Sequence, residues 1–320
     1  MKLIDELITK MMDLKSPIVV GLDPVIERIP DEYFIPYKDE NDEFKKIGAI
    51  LFDFNKDIID SIYDLVPAVK PQIAFYEMYG YQGVRAFEET VKYAKQKGLI
   101  VIEDGKRNDI GNTALAYANG HLGKVKISDS KTETESFNVD FLTVSPYLGR
   151  ESLEPFIDVC IEHDKGIFIL VKTSNQGNEQ IQNVINDEGN TISEVIAKYV
   201  ASFAEATKGK TGYSAIGAVV GATYPEEAKK LRNIMKNNLL LVPGYGTQGG
   251  DAKSIMPCFN EDGLGAIVNA SRSIIFGYEE VSDKKLCTKN NYKEFVRIST
   301  KEMQNEIYTT LKNQYPNMNY

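Results

Sequence analysis

The stretch L-I-V-I-E-D-G-K-R-N-D, residues 99–109, runs from an apolar, β-branched segment straight into a cluster of charges. Leu99–Glu103 has the composition of a buried strand, and Asp104, Lys106, Arg107 and Asp109 crowd the residues just beyond it. Barrels built of β-α units gather their chemistry at the C-terminal ends of their strands, so a buried strand that ends in charge suggests such a fold. Asp104 and Lys106 stand two apart; in extended geometry both side chains point the same way, towards a barrel mouth. Asp109 follows as the chain turns into a helix. Carboxylates on either side of Lys106 favour its charged form and make it a poised proton donor. The competing reading is a solvated charge run with Asn108 or Asp109 as the N-cap of a helix.

Working outward, seven more short apolar runs accompany Leu99–Glu103: Ile18–Leu22, Val66–Lys70, Phe141–Ser145, Ile167–Val171, Ile216–Gly221, Leu239–Val242 and Ala266–Asn269. Helical periodicity fills the gaps at Asp53–Leu65, Gly83–Gly98, Glu151–His163, Ile192–Lys208 and Pro225–Lys236. Eight such units predict an α/β chain folded as a (β/α)8 TIM barrel with loop insertions, the alternative being an open doubly wound sheet. Three charged, turn-rich stretches, 24–43, 122–138 and 176–191, read as insertions in strand-to-helix loops. Leu3, Ile4, Leu7, Ile8, Met11 and Met12 share one helical face, which predicts an N-terminal helix over 1–15 packed on the body of the fold. A C-terminal extension, 281–320, carries an amphipathic helix near Phe295–Leu311. No repeat or linker calls for a second domain, so 1–320 reads as one barrel domain.

The chain has 320 residues, and its net charge of −9 gives it a pI near 5.0. That balance argues against nucleic acid or an anionic membrane as partner, since both need a basic footprint. No run approaches the length of a membrane span, and the charged N-terminal helix is no signal peptide. Cys160, Cys258 and Cys287 are few, odd in number and far apart, which suggests neither a disulfide framework nor zinc, and a reducing, cytoplasmic setting. His121 and His163 read as structural.

The other strand ends are equally marked. The first runs into Gly21-Leu22-Asp23-Pro24, the second into Lys70 and the fifth into Lys172-Thr173-Ser174-Asn175. After the seventh comes Gly244-Tyr245-Gly246-Thr247-Gln248-Gly249-Gly250, and after the eighth Ser271-Arg272. Glycine-rich backbone and an arginine at strands seven and eight suit the place where barrels often bind phosphate. Backbone N–H groups would approach the oxyanion, with Gln248 as a donor and Arg272 as a bidentate partner.

With these residues in place the sequence resembles the orotidine 5'-monophosphate decarboxylase family, whose signature D-x-K-x-x-D-I-x-x-T stands complete as Asp104, Lys106, Asp109, Ile110 and Thr113. The family's lysine at the end of strand two is matched by Lys70 and its early aspartate by Asp23, and the likeness runs from about Ile18 to Phe276. The resemblance implies decarboxylation of orotidine 5'-monophosphate to UMP and CO2, the last step of de novo UMP synthesis, with no cofactor and no metal. It assigns Lys106 to protonation of C6 and Asp104 to the place beside the substrate carboxylate. Lys70 and Asp23 are assigned to the ribose hydroxyls and Pro243 to the base, with Gln248, Ser271 and Arg272 on the 5'-phosphate under a Tyr245–Gly250 lid. Ser174 is matched to the hydroxyl that bonds the pyrimidine amide, with neighbouring Thr173 the alternative. Asp109, Ile110 and Thr113 are expected to reach into the partner's site, which implies a homodimer.

Two other readings compete. Related barrel enzymes acting on keto-sugar phosphates resemble this one in the D-x-K-x-x-D run but use magnesium, held by a glutamate where this chain has Lys70; a lysine would repel the ion. A non-catalytic nucleotide-binding barrel would keep a phosphate pocket and lose the charged array, yet Lys70, Asp104, Lys106 and Asp109 are all present.

Overall fold

The computed structural model describes residues 1–127, 132–246, 251–280 and 285–320. Eight parallel strands close into a barrel in sequence order: β1 (Ile18–Leu22), β2 (Ala68–Pro71), β3 (Ile100–Arg107), β4 (Phe141–Val144), β5 (Gly166–Lys172), β6 (Ser214–Val220), β7 (Asn238–Val242) and β8 (Ala266–Ala270). β8 pairs back onto β1, with Ile18 beside Val268. Closure leaves no open edge among them, which decides against the doubly wound sheet.

Side chains alternate between two apolar layers. Val19, Ala68, Ile100, Ile102, Phe141, Phe168, Leu239, Leu241 and Ile267 share one buried cluster, while Ile18, Val20, Val69, Val101, Leu142 and Val268 belong to another that includes the outer helices. The first cluster is the barrel interior. It also contains Leu3, Ile4, Leu7, Ile8 and Met11 of helix α1 (Leu3–Leu14), so the expected apolar face of this helix packs against the inward residues of the barrel.

Helices α2 (Glu43–Ile62), α3 (Gly80–Gln96), α4 (Gly111–His121), α5 (Glu154–His163), α6 (Ile192–Ser202), α7 (Pro225–Ile234) and the short α8 (Arg272–Ile275) follow strands in turn, and α9 (Lys289–Gln314) closes the chain. α2 begins ten residues before the expected Asp53, because the Asp42 side chain accepts a hydrogen bond from Lys45 N at 3.0 Å and caps it. The 24–43 insertion is two 3-10 helices, Ile26–Arg28 and Asp31–Tyr37. The helix expected from Glu151 opens as a 3-10 turn, Arg150–Ser152, and the one expected to reach Lys208 stops at Ser202 before a further turn at Ala204–Thr207. All three cysteines are free and buried. Among the described residues no helix is long and apolar enough to cross a membrane.

Candidate active site

Strand parity puts the polar residues where the interior opens. The inward positions of β1 continue from Val19 through Gly21 to Asp23, those of β2 from Ala68 to Lys70, and those of β3 from Ile102 to Asp104. By the same count β4 continues from Phe141 to Thr143, β7 from Leu241 to Pro243, and β8 from Ile267 through Asn269 to Ser271. The C-terminal mouth is thus ringed by Asp23, Lys70, Asp104, Thr143, Pro243 and Ser271.

Asp104 is the hub of this ring. Its two carboxylate oxygens take one ammonium each: Lys70 Nζ lies 2.7 Å from Oδ2 and Lys106 Nζ 2.5 Å from Oδ1. Thr143 also donates its hydroxyl to Oδ1 at 3.1 Å. Burial alone would push the Lys70 ammonium down, but the Asp104 and Asp23 carboxylates outweigh it and hold its pKa above the ordinary lysine value. Burial likewise favours protonated Asp104, and the two ammonium groups outweigh that, holding its carboxyl well below the usual range. Lys70 is 5 % exposed, whereas the Lys106 side chain is 48 % exposed, so one lysine is a fixed counter-charge and the other faces the opening.

Two sequence expectations about this array need correction. Asp104 and Lys106 do meet, yet not by extended alternation: β3 bulges between Glu103 and Arg107, and Lys106 has φ +45°. Gly105 permits this, since a Cβ there would lie 2.8 Å from Glu103 Oε1 and 3.1 Å from Leu142 Cδ1. Thr143 secures the turn by accepting from Lys106 N at 2.9 Å. Asp109, expected to flank Lys106 from its other side, instead accepts from Ile110 N at 2.8 Å, and its carboxylate is not part of the chain's own array.

Ser271, expected at the phosphate end, donates its hydroxyl to Asp23 Oδ2 at 2.6 Å. Gly21 lets the two strands pass closely, for a Cβ there would sit 2.7 Å from Ser271 Cβ. Among the described residues Asp23 Oδ1 and Asn269 Oδ1 are buried with no hydrogen-bond partner, which leaves two acceptors open at this side of the mouth. After β5, the Thr173 hydroxyl lies 2.5 Å from Asn175 Oδ1 and accepts from Gln182 at 2.9 Å. Ser174 beside it is half-buried. Pro243 is half-buried at the end of β7, its carbonyl taking Ala222 N at 3.1 Å. Arg272 opens α8 and is exposed. Ile110 and Thr113 lie on the exposed side of α4. Gln248, with the rest of 247–250, lies outside the described residues.

The sequence reading passed over two features that strand parity could have revealed. Thr143 is an inward hydroxyl at the end of an apolar run. Glu103, facing outward and fully buried, meets His121 Nδ1 of α4 at 2.7 Å, which gives the histidine its structural role. A cavity of about 1120 Å3 lies elsewhere: Tyr213, Asn237 and Arg232 line it at the N-terminal ends of β6 and β7. None of the residues that ring the mouth line it, and the mouth with its linked carboxylate and ammonium groups is the better candidate.

The family model of the orotidine 5'-phosphate decarboxylase / HUMPS family matches residues 16–282. A protein of Rhodopirellula baltica named orotidine 5'-phosphate decarboxylase is 43 % identical over 290 residues, covering 90 % of this chain and 93 % of that one. One of the same name from Caldicellulosiruptor saccharolyticus is 42 % identical over 277 residues, 86 % of this chain and 90 % of its own. Among solved structures, an orotidine-monophosphate decarboxylase of Toxoplasma gondii superposes with a TM-score of 0.76 at 26 % identity, over 97 % of both chains. A match of this extent, over a barrel whose mouth carries the signature residues, places the chain in the orotidine 5'-phosphate decarboxylase / HUMPS family.

Proposed function

We propose that this protein is a carboxy-lyase that converts orotidine 5'-monophosphate to UMP and CO2, working as a homodimer by metal-free direct decarboxylation. The observation that carries the reading is the Lys70–Asp104–Lys106 array, with contacts of 2.7 and 2.5 Å at the ends of β2 and β3. A pyrimidine bound over it would set its C6 carboxylate against Asp104, an anion that the two lysines keep charged. The C6–carboxylate bond breaks with its electron pair left on C6, CO2 departs, and the Lys106 ammonium transfers its proton to C6. The neutral amine then regains a proton from solvent. A magnesium ion in this place would face two ammonium groups and a carboxylate whose oxygens are already engaged, which disfavours the keto-sugar phosphate chemistry.

The other assignments are those that the family resemblance implies, and the geometry supports some of them. Asp23, oriented by Ser271, offers its open Oδ1 to a ribose hydroxyl beside Lys70. Ser174 is favoured over Thr173 for the pyrimidine amide, because the Thr173 hydroxyl is already engaged on both sides. Pro243 would flank the base, and Arg272 with Gln248 would hold the 5'-phosphate. Asp109, turned from its own Lys106, precedes a helix along which Ile110, Leu115 and Tyr117 are exposed apolar side chains, available to a second copy.

The test is loss of the substrate's ultraviolet absorbance in excess EDTA, for wild type and Lys106→Ala. Activity should survive EDTA in wild type and fall about 100- to 10,000-fold in the variant. EDTA-sensitive turnover would favour a metal-dependent relative; no turnover by folded wild type would favour a binding protein.

A further inference from the structure

Helix α9 lies wholly beyond the 16–282 family match. It seats itself through Tyr292, Val296, Thr300, Met303, Ile307 and Leu311, a single stripe at helical spacing. Next to that stripe, exposed Glu306 accepts a hydrogen bond from the hydroxyl of Tyr245. Tyr245 sits in the glycine-rich segment after β7, between Gly244 at φ 100° and Gly246 at φ 77°. Those two conformations suit glycine and present backbone rather than side chain, while the tyrosine ring packs against the outer core. On the other flank, a Cβ at Gly246 would lie 3.4 Å from Ser273 Oγ, one residue after Arg272. The segment is therefore bracketed by α8 and α9.

We propose that Glu306 is a positioning residue for phosphate binding: by holding the Tyr245 hydroxyl, it fixes the Gly244–Gly246 backbone that meets the substrate's 5'-phosphate. This rests on the reading of the β7 and β8 ends as the phosphate site. A carboxylate cannot itself bind phosphate, and its charge near one opposes binding. Its contribution must then come through the tyrosine. Burial first, and Glu306 second, raise the Tyr245 phenol above its ordinary pKa, so it stays a donor at neutral pH.

The experiment compares inhibition by UMP and by uridine, which differ only in the 5'-phosphate, in the full chain and in Glu306→Ala, Glu306→Gln and Tyr245→Phe. Glu306→Ala and Tyr245→Phe should weaken UMP roughly 3- to 10-fold and leave uridine unchanged, with the double variant no worse than either single one. Glu306→Gln should behave as wild type, since its amide oxygen still accepts the hydroxyl. Tyr245→Phe keeps the ring packing and guards against a folding defect, followed by thermal melts. Tighter UMP binding in both Glu306 variants would show a purely electrostatic effect and overturn the proposal, as would no change or equal losses for UMP and uridine. If wild type binds UMP no better than uridine, the phosphate reading itself has failed.

Discussion

Asp104 is a carboxylate that the fold makes expensive to bury and then surrounds with two ammonium groups and a hydroxyl. Replacing it with asparagine leaves Lys70, 5 % exposed, without its nearest counter-charge, and removing one partner of a buried pair costs about 3–5 kcal/mol. The pH dependence has a definite sign. Asp104 has a lowered pKa in the folded state, so its contribution is full above the unfolded carboxylate value of about 3.9 and is lost as pH falls through the folded value. Lys70 has a raised one, so its share is full below about 10.4 and is lost as pH rises through the folded value. The stability gap between wild type and Asp104→Asn should be constant from about pH 5 to 7 and narrow by roughly 1 kcal/mol at pH 3. Urea unfolding at the three pH values measures it. A gap that does not narrow in acid would mean that Asp104 is not held by these lysines.

The turn at Lys106 belongs to the strand as an element. Glu103, clamped by His121 of α4, fills the space beneath Gly105, so a methyl group there has nowhere to go: it would meet Glu103 Oε1 at 2.8 Å and Leu142 Cδ1 at 3.1 Å. Gly105→Ala should keep the barrel, shift the Lys106 backbone, and lower kcat about 10- to 100-fold with less change in KM, because the proposed ribose and phosphate contacts lie on other strands. Steady-state kinetics decides this, and an unchanged kcat would show that the bulge is incidental. All eight strands were legible because each is an apolar run bounded by polar residues. The bulge was not read, although a glycine inside a strand signals one. The start of α2 was missed for another reason. Glu43 closes the charged 24–43 stretch and residues 44–52 fall in no expected element; the cap at Asp42 shows that the helix has already begun.

For the molecule as a whole, sequence showed which residues would meet when they sit at strand ends, since parity fixes their direction. Lys70 and Asp104 were of this kind, whereas Lys106 reaches Asp104 only through the bulge in β3. Residue patterning alone could not show that Asp109 leaves the array, because that depends on how the chain turns into α4; only the family resemblance pointed there. That departure makes a sharp prediction. If Asp109 completes the neighbour's site, Lys106→Ala and Asp109→Ala should each be nearly inactive, and mixing them should restore activity. A mixed dimer has one site with both lesions and one with neither; with equal amounts and free exchange half of the dimers are mixed, so activity should recover to about a quarter of wild type. Two affinity tags, one per variant, verify the exchange by co-purification. Recovery would place Asp109 in the opposite subunit's site, next to the lysine it does not reach in its own chain. No recovery in exchanged dimers would confine each site to one chain and leave the exposed Ile110, Leu115 and Tyr117 side chains without a catalytic reason.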